Sequence, residues 1–342
     1  MQLGQEVPVG KIHQELKKLW ASNDAATKAS LMNFAIYSES PGSLEENTAL
    51  ISKITEEHAC RALVIFARQD SEAMEARAWI TAHCRLAGGK KAVCSEQIAF
   101  DLHGQCANLV RNIVFANLES DLPLVVWWQG DLTDRFDERF FSRIDRLVVD
   151  SATWDDPAAQ FGMVLSASKE SGQRFLLNDL SWTRSYDLRL SLASLFDHAD
   201  LLKGLPEIET IRISHGKNER VCAAMVLVWM ANMLQLENAA RTGNSFILQK
   251  PDGSKIDASL DVTDAEVALP RLSMEGKDMS LIFELDADAR FWHATANCSG
   301  NRIHQMFPAH DQALPNQINA QLQRARENSL FKQITMRLEA WL

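Results

Sequence analysis

The sequence predicts an α/β fold, in which a mostly parallel sheet is flanked by helices, followed by a second α+β domain containing antiparallel hairpins. Three observations predict it. The run at 122–128 is wholly apolar and bounded by chain breakers, which suits a strand covered on both faces. Strands and helices alternate along the first half, as in a parallel sheet with right-handed crossovers. In the second half, short strand patterns flank polar turns, which is typical of antiparallel hairpins.

The first half alternates strands and helices, apart from one hairpin around Gly88 and Gly89. Its helix at 43–58 begins with a capping box of Ser43 and Glu46. The predicted elements are a helix at 9–21, a strand at 30–38, the helix at 43–58, strands at 61–67, 76–85 and 92–102, a helix at 105–118, the strand at 122–128, a helix at 135–146, a strand at 147–150, a helix opened by Asp155-Asp156-Pro157, and a strand at 174–177.

The second half has longer apolar helices and paired strands. The predicted elements are a helix at 185–197, a strand at 210–214, a very apolar helix at 219–236, hairpins at 245–250/255–262 and 279–285/289–296, and a helix at 318–342. A chain of 342 residues is long enough for two cores. The boundary is expected between Asp150 and Leu205, and we divide the chain into domains at 1–180 and 181–342.

Composition and charge exclude several classes of protein. Hydrophobic content of 46% and charged content of 23% are those of a soluble globular protein. The net charge of −10 argues against non-specific binding to nucleic acid or to anionic membranes. No stretch has 18 consecutive apolar residues, and residues 1–6 lack the basic start and apolar core of a signal peptide. We therefore expect a cytoplasmic protein without membrane or nucleic-acid partners.

The six cysteines are dispersed, and no two form a CxxC pair. In a cytoplasmic chain of this size we expect free and mostly buried thiols. Cys84 and Cys94 are placed to face each other across a hairpin, so a redox pair stays open as an alternative. Without clustered ligands, no zinc site is expected.

Motifs that bind cofactors or perform catalysis are missing: the sequence has no GxGxxG, GxxxxGK[ST], HExxH or GxSxG. No cofactor or metal is therefore predicted. The notable polar and aromatic residues instead lie at strand and helix ends, except Glu96 and Gln97, which interrupt the apolar strand at 92–102. They are His58, Arg61, Glu96, Gln97, Trp127, Trp128, Asp131, Asp150, Asp179, Trp182 and Arg184.

Local structural roles compete with functional ones at several of these positions. Asp179 suits the N-cap of the following helix, and His58 suits a helix C-terminus. Adjacent strand residues point to opposite faces, so Trp127 and Trp128 cannot share one core layer. We expect at least one of the two to face a cleft or a neighbour at the carboxyl end of the sheet.

Six segments between about residues 30 and 240 are distinctive. They are His58-Ala59-Cys60-Arg61, Cys94-Ser95-Glu96-Gln97, the run from Leu122 to Asp131 with Trp127-Trp128-Gln129-Gly130-Asp131, the run from Arg146 to Ala152, Asp179-Leu180-Ser181-Trp182-Thr183-Arg184, and the apolar helix at 223–234 with Trp229. In this order they resemble the glucose-6-phosphate dehydrogenase assembly protein family, OpcA. Ala59 departs from the proline that is common in the family at that place.

The resemblance implies a protein that is not an enzyme and that assembles and activates glucose-6-phosphate dehydrogenase, its partner in the oxidative pentose phosphate pathway. The eleven residues named above would then be partner-binding or structural. The rival hypothesis is a small-molecule-binding or enzymatic α/β protein, with a site at the carboxyl edge of the sheet. A third treats these residues as scaffold and assigns binding to the C-terminal hairpins and helix. The rival site would join Arg61, Asp131, Asp150, Asp179 and Arg184.

Overall fold

The computed structural model describes residues 3–21, 27–87, 90–170, 175–286, 288, 290–323 and 329–342. The chain forms two compact units, each built from several segments. Unit 1 comprises Met1–Asp150, Met163–Asn178 and Ile318–Glu327, and unit 2 comprises Ser151–Gly162, Asp179–Gln317 and Asn328–Leu342. A division into contiguous domains at residue 180 stays a prediction.

Unit 1 is organised around a sheet whose described strands follow the order β1-β5-β6-β4-β3-β7-β8-β9, with β2 paired to β6. The pairs β3/β4, β3/β7, β4/β6, β7/β8 and β2/β6 are parallel, while β1/β5 and β5/β6 are antiparallel. The predicted mostly parallel sheet is confirmed. Its strands are β1 (Gln5–Val7), β2 (Thr27–Lys28), β3 (Asn33–Ser38), β4 (Arg61–Arg68), β5 (Glu75–Ala87), β6 (Lys90–His103), β7 (Leu124–Trp128), β8 (Arg146–Val149) and β9 (Leu176–Asp179).

The tryptophan strand β7 lies inside this sheet between β3 and β8. All five of its residues are buried, as its unbroken apolar sequence predicts for a strand covered on both faces. Trp127 and Trp128 are both buried as well. Of the two expected alternatives, a cleft or a neighbour, the cleft is wrong, because both side chains are covered by protein; Trp128 packs against Tyr37 of the neighbouring strand β3.

The helices of unit 1 are shorter than their sequence patterns. The capping box is wrong: Gly42, with a φ of 83°, is the N-cap of α2, and Ser43 is already helical. The helix α2 ends at Ile54, with Thr55 as its C-cap, and the Thr55 hydroxyl donates to the Ile51 carbonyl at 2.8 Å. The helices are α1 (Ile12–Ala21), α2 (Ser43–Ile54), α3 (Val110–Ala116) and α4 (Glu138–Phe141), with the later parts of α5 (Pro157–Glu170) and α10 (Leu314–Gln323).

Unit 2 contains a second sheet, whose order is β11-β12-β13-β10-β14-β15-β16-β17. All its neighbours are antiparallel except β10 and β13, which run parallel. Both predicted hairpins form, as β12/β13 and β15/β16; Ala287 and Ala289 between the latter lie outside the described residues. The strands are β10 (Ile208–His215), β11 (Glu237–Thr242), β12 (Ser245–Gln249), β13 (Lys255–Val262), β14 (Arg271–Gly276), β15 (Met279–Leu285), β16 (Phe291–Cys298) and β17 (Asn301–Pro308).

The helix α9 is the centre of unit 2. Its residues from Val221 to Ala231 are all buried, and it packs on β10 and β13 as well as on α6 and α11. A helix that is apolar all round needs cover on every side, which these elements provide. The predicted helix at 318–342 is two helices, α10 and α11. The helices of unit 2 are α6 (Leu180–Arg184), α7 (Tyr186–Leu195), α8 (Ala199–Gly204), α9 (Arg220–Met233) and α11 (Ser329–Leu338), with the first parts of α5 and α10.

In the part of the chain that the structure describes, no helix is long and apolar enough to cross a membrane.

The expectation that all six cysteines are free thiols is wrong for one pair. Cys84 on β5 lies directly opposite Cys94 on β6, and the two form a disulfide. The Cys84 end lines a polar cleft of about 320 Å³. The remaining four cysteines are free, and all but Cys106 are buried. Burial raises the pKa of the Cys60 thiol to about 12 and that of Cys222 well above its ordinary value.

We therefore expect thiol counting to give four groups in denaturant without reductant and six after reduction. Under native conditions Cys106 is expected to react first, because it is the one free cysteine that is not buried and so is the most accessible to the reagent. Titration with an aromatic disulfide reagent measures both. Six thiols in fresh, unreduced and denatured protein would show that the disulfide is absent in solution, and a Cys84→Ser variant provides the control.

Candidate functional site

A buried ion-pair cluster lies at the amino edge of the unit 1 sheet. Arg61, the first residue of β4, donates through Nη1 to Glu96 Oε2 at 2.9 Å and to Glu119 Oε1 at 2.8 Å. Lys28 lies 3.0 Å from Glu96 and 2.5 Å from Glu119. The Trp20 indole donates to the other oxygen of Glu96. Two cations thus face two carboxylates in a largely buried setting.

This cluster balances its own charge. The hydrogen bond from Lys28, together with that from Arg61, holds the pKa of Glu119 below its usual range although partial burial acts against it. Glu96 and Gln97, the two polar residues predicted to interrupt an apolar strand, therefore both have polar partners. Gln97 donates to Thr48 Oγ1 at 3.0 Å and its carbonyl lies 2.9 Å from His83 Nε2.

The rival carboxyl-edge site does not form as the sequence suggested. Arg61 begins β4, whereas Asp131 and Asp150 follow the ends of β7 and β8. Because these strands belong to one parallel array, Arg61 lies at the opposite edge from the two aspartates. His58 lies between α2 and β4, at the same edge as Arg61, and its backbone N–H donates to Ile54.

The carboxyl edge of unit 1 has a different cluster, which sequence reasoning missed. Arg135 Nη1 donates to Glu39 Oε1 at 2.5 Å and to the Tyr37 hydroxyl at 3.1 Å. Its Nη2 donates to Gln69 at 2.6 Å. Glu39 comes directly after an apolar strand, and that position was the available signal. Arg135 was predicted to begin a helix at 135–146 but lies in the loop before α4, so its sequence context gave no signal.

Trp128 packs against the cluster of Arg135, Glu39 and Tyr37 at the carboxyl edge. Its ring lies 4.1 Å from the ring of Tyr37, and its indole N–H donates to the Asp131 carbonyl at 2.9 Å. Asn47 on α2 and Gln129 exchange two hydrogen bonds of 2.9 Å. The Trp-Trp-Gln-Gly-Asp segment therefore connects the end of β7 to β3 and to α2.

In unit 2, the Asp179–Arg184 segment is used in packing. Asp179 caps α6, accepting from the N–H groups of Ser181 at 2.9 Å and Ser151 at 3.2 Å. This confirms its predicted role as an N-cap. Trp182 is buried, with the Arg189 guanidinium 3.2 Å above its ring and the Phe331 ring 5.6 Å away.

Arg184 joins three elements within unit 2. It donates through Nε to Glu219 at 3.0 Å, through Nη1 to Gln317 at 3.1 Å and through Nη2 to the Ser181 hydroxyl at 3.2 Å. Its planar fork of donors reaches three separated partners at once, whereas the three N–H groups of a lysine all radiate from one nitrogen. Sequence reasoning missed Glu219, which is far from Arg184 along the chain. It also missed Arg189, whose guanidinium lies over the Trp182 ring.

Among the described residues, no group of three His, Cys, Asp or Glu side chains is arranged to hold a metal ion. The contacts above join the notable residues to one another and to the backbone. What the arrangement does chemically is to neutralise buried charge and to fix the ends of strands and helices.

Removing one partner of the amino-edge cluster should be costly. Arg61→Ala leaves Glu96 buried beside one remaining cation, and we expect a loss of about 3–5 kcal/mol in the free energy of unfolding. Lys18→Ala removes a largely exposed pair with Glu15 in the same unit and should cost about 0–1 kcal/mol. Urea unfolding of both variants measures the difference. Equal losses would contradict the role assigned to Arg61.

The two adjacent tryptophans should behave alike. Since both are buried on opposite faces of β7, Trp127→Ala and Trp128→Ala should each lose about 3–5 kcal/mol. The exposed Leu31 provides a matched control, whose alanine variant should stay within about 0.5 kcal/mol of the parent. Unfolding in denaturant, monitored by far-ultraviolet circular dichroism so that the signal does not depend on the tryptophan that is removed, tests this. A near-neutral tryptophan variant would show that one face of β7 is open.

Comparison with known protein families gives two matches. A model described as the N-terminal domain of the glucose-6-phosphate dehydrogenase subunit matches residues 51–165. A second model, described as the C-terminal domain of that same subunit, matches residues 176–335. No match was found among curated proteins.

Two of the solved structures that resemble this fold are described as oxidoreductases. One is KijD10, a 3-ketoreductase from Actinomadura kijaniata in complex with NADP, with a TM-score of 0.52 and 12% identity over 91% of this chain and 96% of that one. Another is a putative NADPH-dependent oxidoreductase from Desulfitobacterium hafniense, with a TM-score of 0.50 and 10% identity over 92% and 94%.

At such identities the likeness shows the fold alone, which is Rossmann-like in its first part. The two family models together span most of the sequence, and the resemblance seen in the Trp-Trp and Asp-Leu-Ser-Trp segments agrees with them. The chain belongs to the glucose-6-phosphate dehydrogenase assembly protein family, OpcA.

Proposed function

We propose that this protein is a non-catalytic assembly factor and activator of glucose-6-phosphate dehydrogenase, acting in the cytoplasm on the oxidative pentose phosphate pathway. Membership of the family over both halves of the chain carries the proposal. The net charge of −10 agrees with a protein partner rather than a nucleic acid.

The contacts of the family segments support a scaffold role for those segments. Arg61 and Glu96 neutralise each other, Trp128 packs on Tyr37, and Arg184 pairs with Glu219. Side chains held in this way stabilise the two units, whose exposed surfaces would then meet the enzyme. Interface anchors in general are buried only when the partner is bound. The eleven predicted site residues accordingly remain proposals as partner contacts, and the geometry favours their structural role.

The decisive experiment measures NADPH production by the cognate dehydrogenase at limiting and at saturating glucose 6-phosphate. Adding this protein should raise the maximal rate or lower the apparent KM, with an effect that saturates at a fixed molar ratio. An unrelated acidic protein at equal concentration is the control for non-specific effects. Sedimentation of the mixture should show a complex heavier than either component.

Two outcomes would overturn the proposal. The first is an unchanged rate and apparent KM at saturating amounts of the protein. The second is turnover of substrate and NADP by this protein alone, which would favour the rival enzymatic hypothesis.

The structural role of Arg184 gives a further expectation in the same assay. Arg184→Ala should reduce activation in proportion to its loss of folded protein, so that activation per folded molecule stays unchanged. Measuring the folded fraction by circular dichroism alongside the rates tests this. Full folding with lost activation would instead make Arg184 a partner contact.

A further inference from the structure

The strand order of unit 1 determines where a cofactor crevice would lie. Counted along the chain, the six strands β6, β4, β3, β7, β8 and β9 have the order 3-2-1-4-5-6. This is the doubly wound order in which dinucleotides bind at the carboxyl ends of the strands, where the order reverses. Here that point lies between β3 and β7, above the loop leading into α2.

The loop that would carry the glycine fingerprint carries serines. In GxGxxG the glycines allow a tight turn, close approach of pyrophosphate, and close packing of helix on strand. Counted from the end of β3, those three positions are Ser38, Ser40 and Ser43. Ser38 and Ser43 are buried, so their side chains fill space that glycine leaves open.

The path of this loop differs from a phosphate-binding loop as well. Among its described residues only Gly42 has a positive φ, of 83°. The Ser43 N–H donates to the Ser40 carbonyl at 3.2 Å, which closes a Ser40-Pro41-Gly42-Ser43 turn. Proline second and glycine third are the residues that a type II turn requires. The turn uses a backbone N–H that a pyrophosphate would otherwise contact.

A carboxylate stands between the first two fingerprint positions. Glu39 accepts hydrogen bonds from Tyr37 at 2.5 Å, Arg135 at 2.5 Å and Thr133 at 3.2 Å. The Arg135 guanidinium, a cation that could otherwise attract a phosphate, is already paired with this carboxylate. Burial raises the pKa of Tyr37 well above its usual range, so its hydroxyl stays a donor to Glu39.

We infer that this crevice excludes a dinucleotide, and that the Glu39–Arg135 pair takes its place by tying the loop after β3 to the loop after β7. The residues present do not fit NAD or NADP. The inference is independent of the dehydrogenase partner, since it concerns only contacts within unit 1.

Calorimetric titration of the whole protein with NADPH, and separately with NADH, tests the exclusion. We expect no saturable heat for either nucleotide. A Kd below about 1 mM for either one would overturn the inference.

Hydrogen exchange tests the tie between the loops. Arg135→Ala removes a side chain that is 7% exposed, and amides at 38–42 and 129–135 should exchange about tenfold faster or more. Arg139→Ala, whose side chain is 78% exposed, is the matched control and should leave them unchanged. Equal protection in both variants would overturn the tie. If Arg135→Ala fails to fold, the titration of the parent protein still decides the exclusion.

Discussion

Burial of the central strands on both faces is the constraint on which unit 1 depends. The strands β3, β4 and β7 consist almost wholly of buried side chains, so their backbone groups must pair along the ladder and their interiors hold no isolated charge. Polar residues are therefore displaced to the strand ends, where each needs a partner. At the amino edge Arg61 meets Glu96, and at the carboxyl edge Arg135 meets Glu39. The two ion pairs are consequences of one buried sheet.

In unit 2 the element that is buried on all sides is a helix instead of a strand. The apolar helix α9 lies against β10 and β13 and is covered by α6 and α11. Arg184 donates a hydrogen bond to Glu219, the N-cap residue of α9, and the Cys222 thiol on α9 donates to the Ser181 carbonyl at 3.2 Å. The Asp179–Arg184 segment thus holds the buried helix in place, which explains why its aromatic and charged residues are internal.

The sequence predicted strand identity well, because apolar runs such as 61–67 and 122–128 record burial directly. It predicted helix ends poorly, since these depend on local backbone geometry: α2 ends at Ile54 with Thr55 as its C-cap, and Gly42 occupies the N-cap that was predicted for Ser43. The disulfide followed from strand register, which a pattern of spacing alone does not determine. Arg135 was missed because its partners, Glu39 and Gln69, come from other loops, and only the folded sheet brings the three together.

A doubly wound strand order is commonly associated with dinucleotides, yet the association belongs to the loop after the first strand and not to the sheet. In this chain that loop ends in a closed Pro-Gly turn and carries Glu39, whose charge is neutralised by Arg135 from across the crevice. The same sheet therefore supports a rigid edge in place of a cofactor cradle. Such an edge agrees with the proposed assembly role, because a surface that is already ordered loses less conformational entropy when a partner docks.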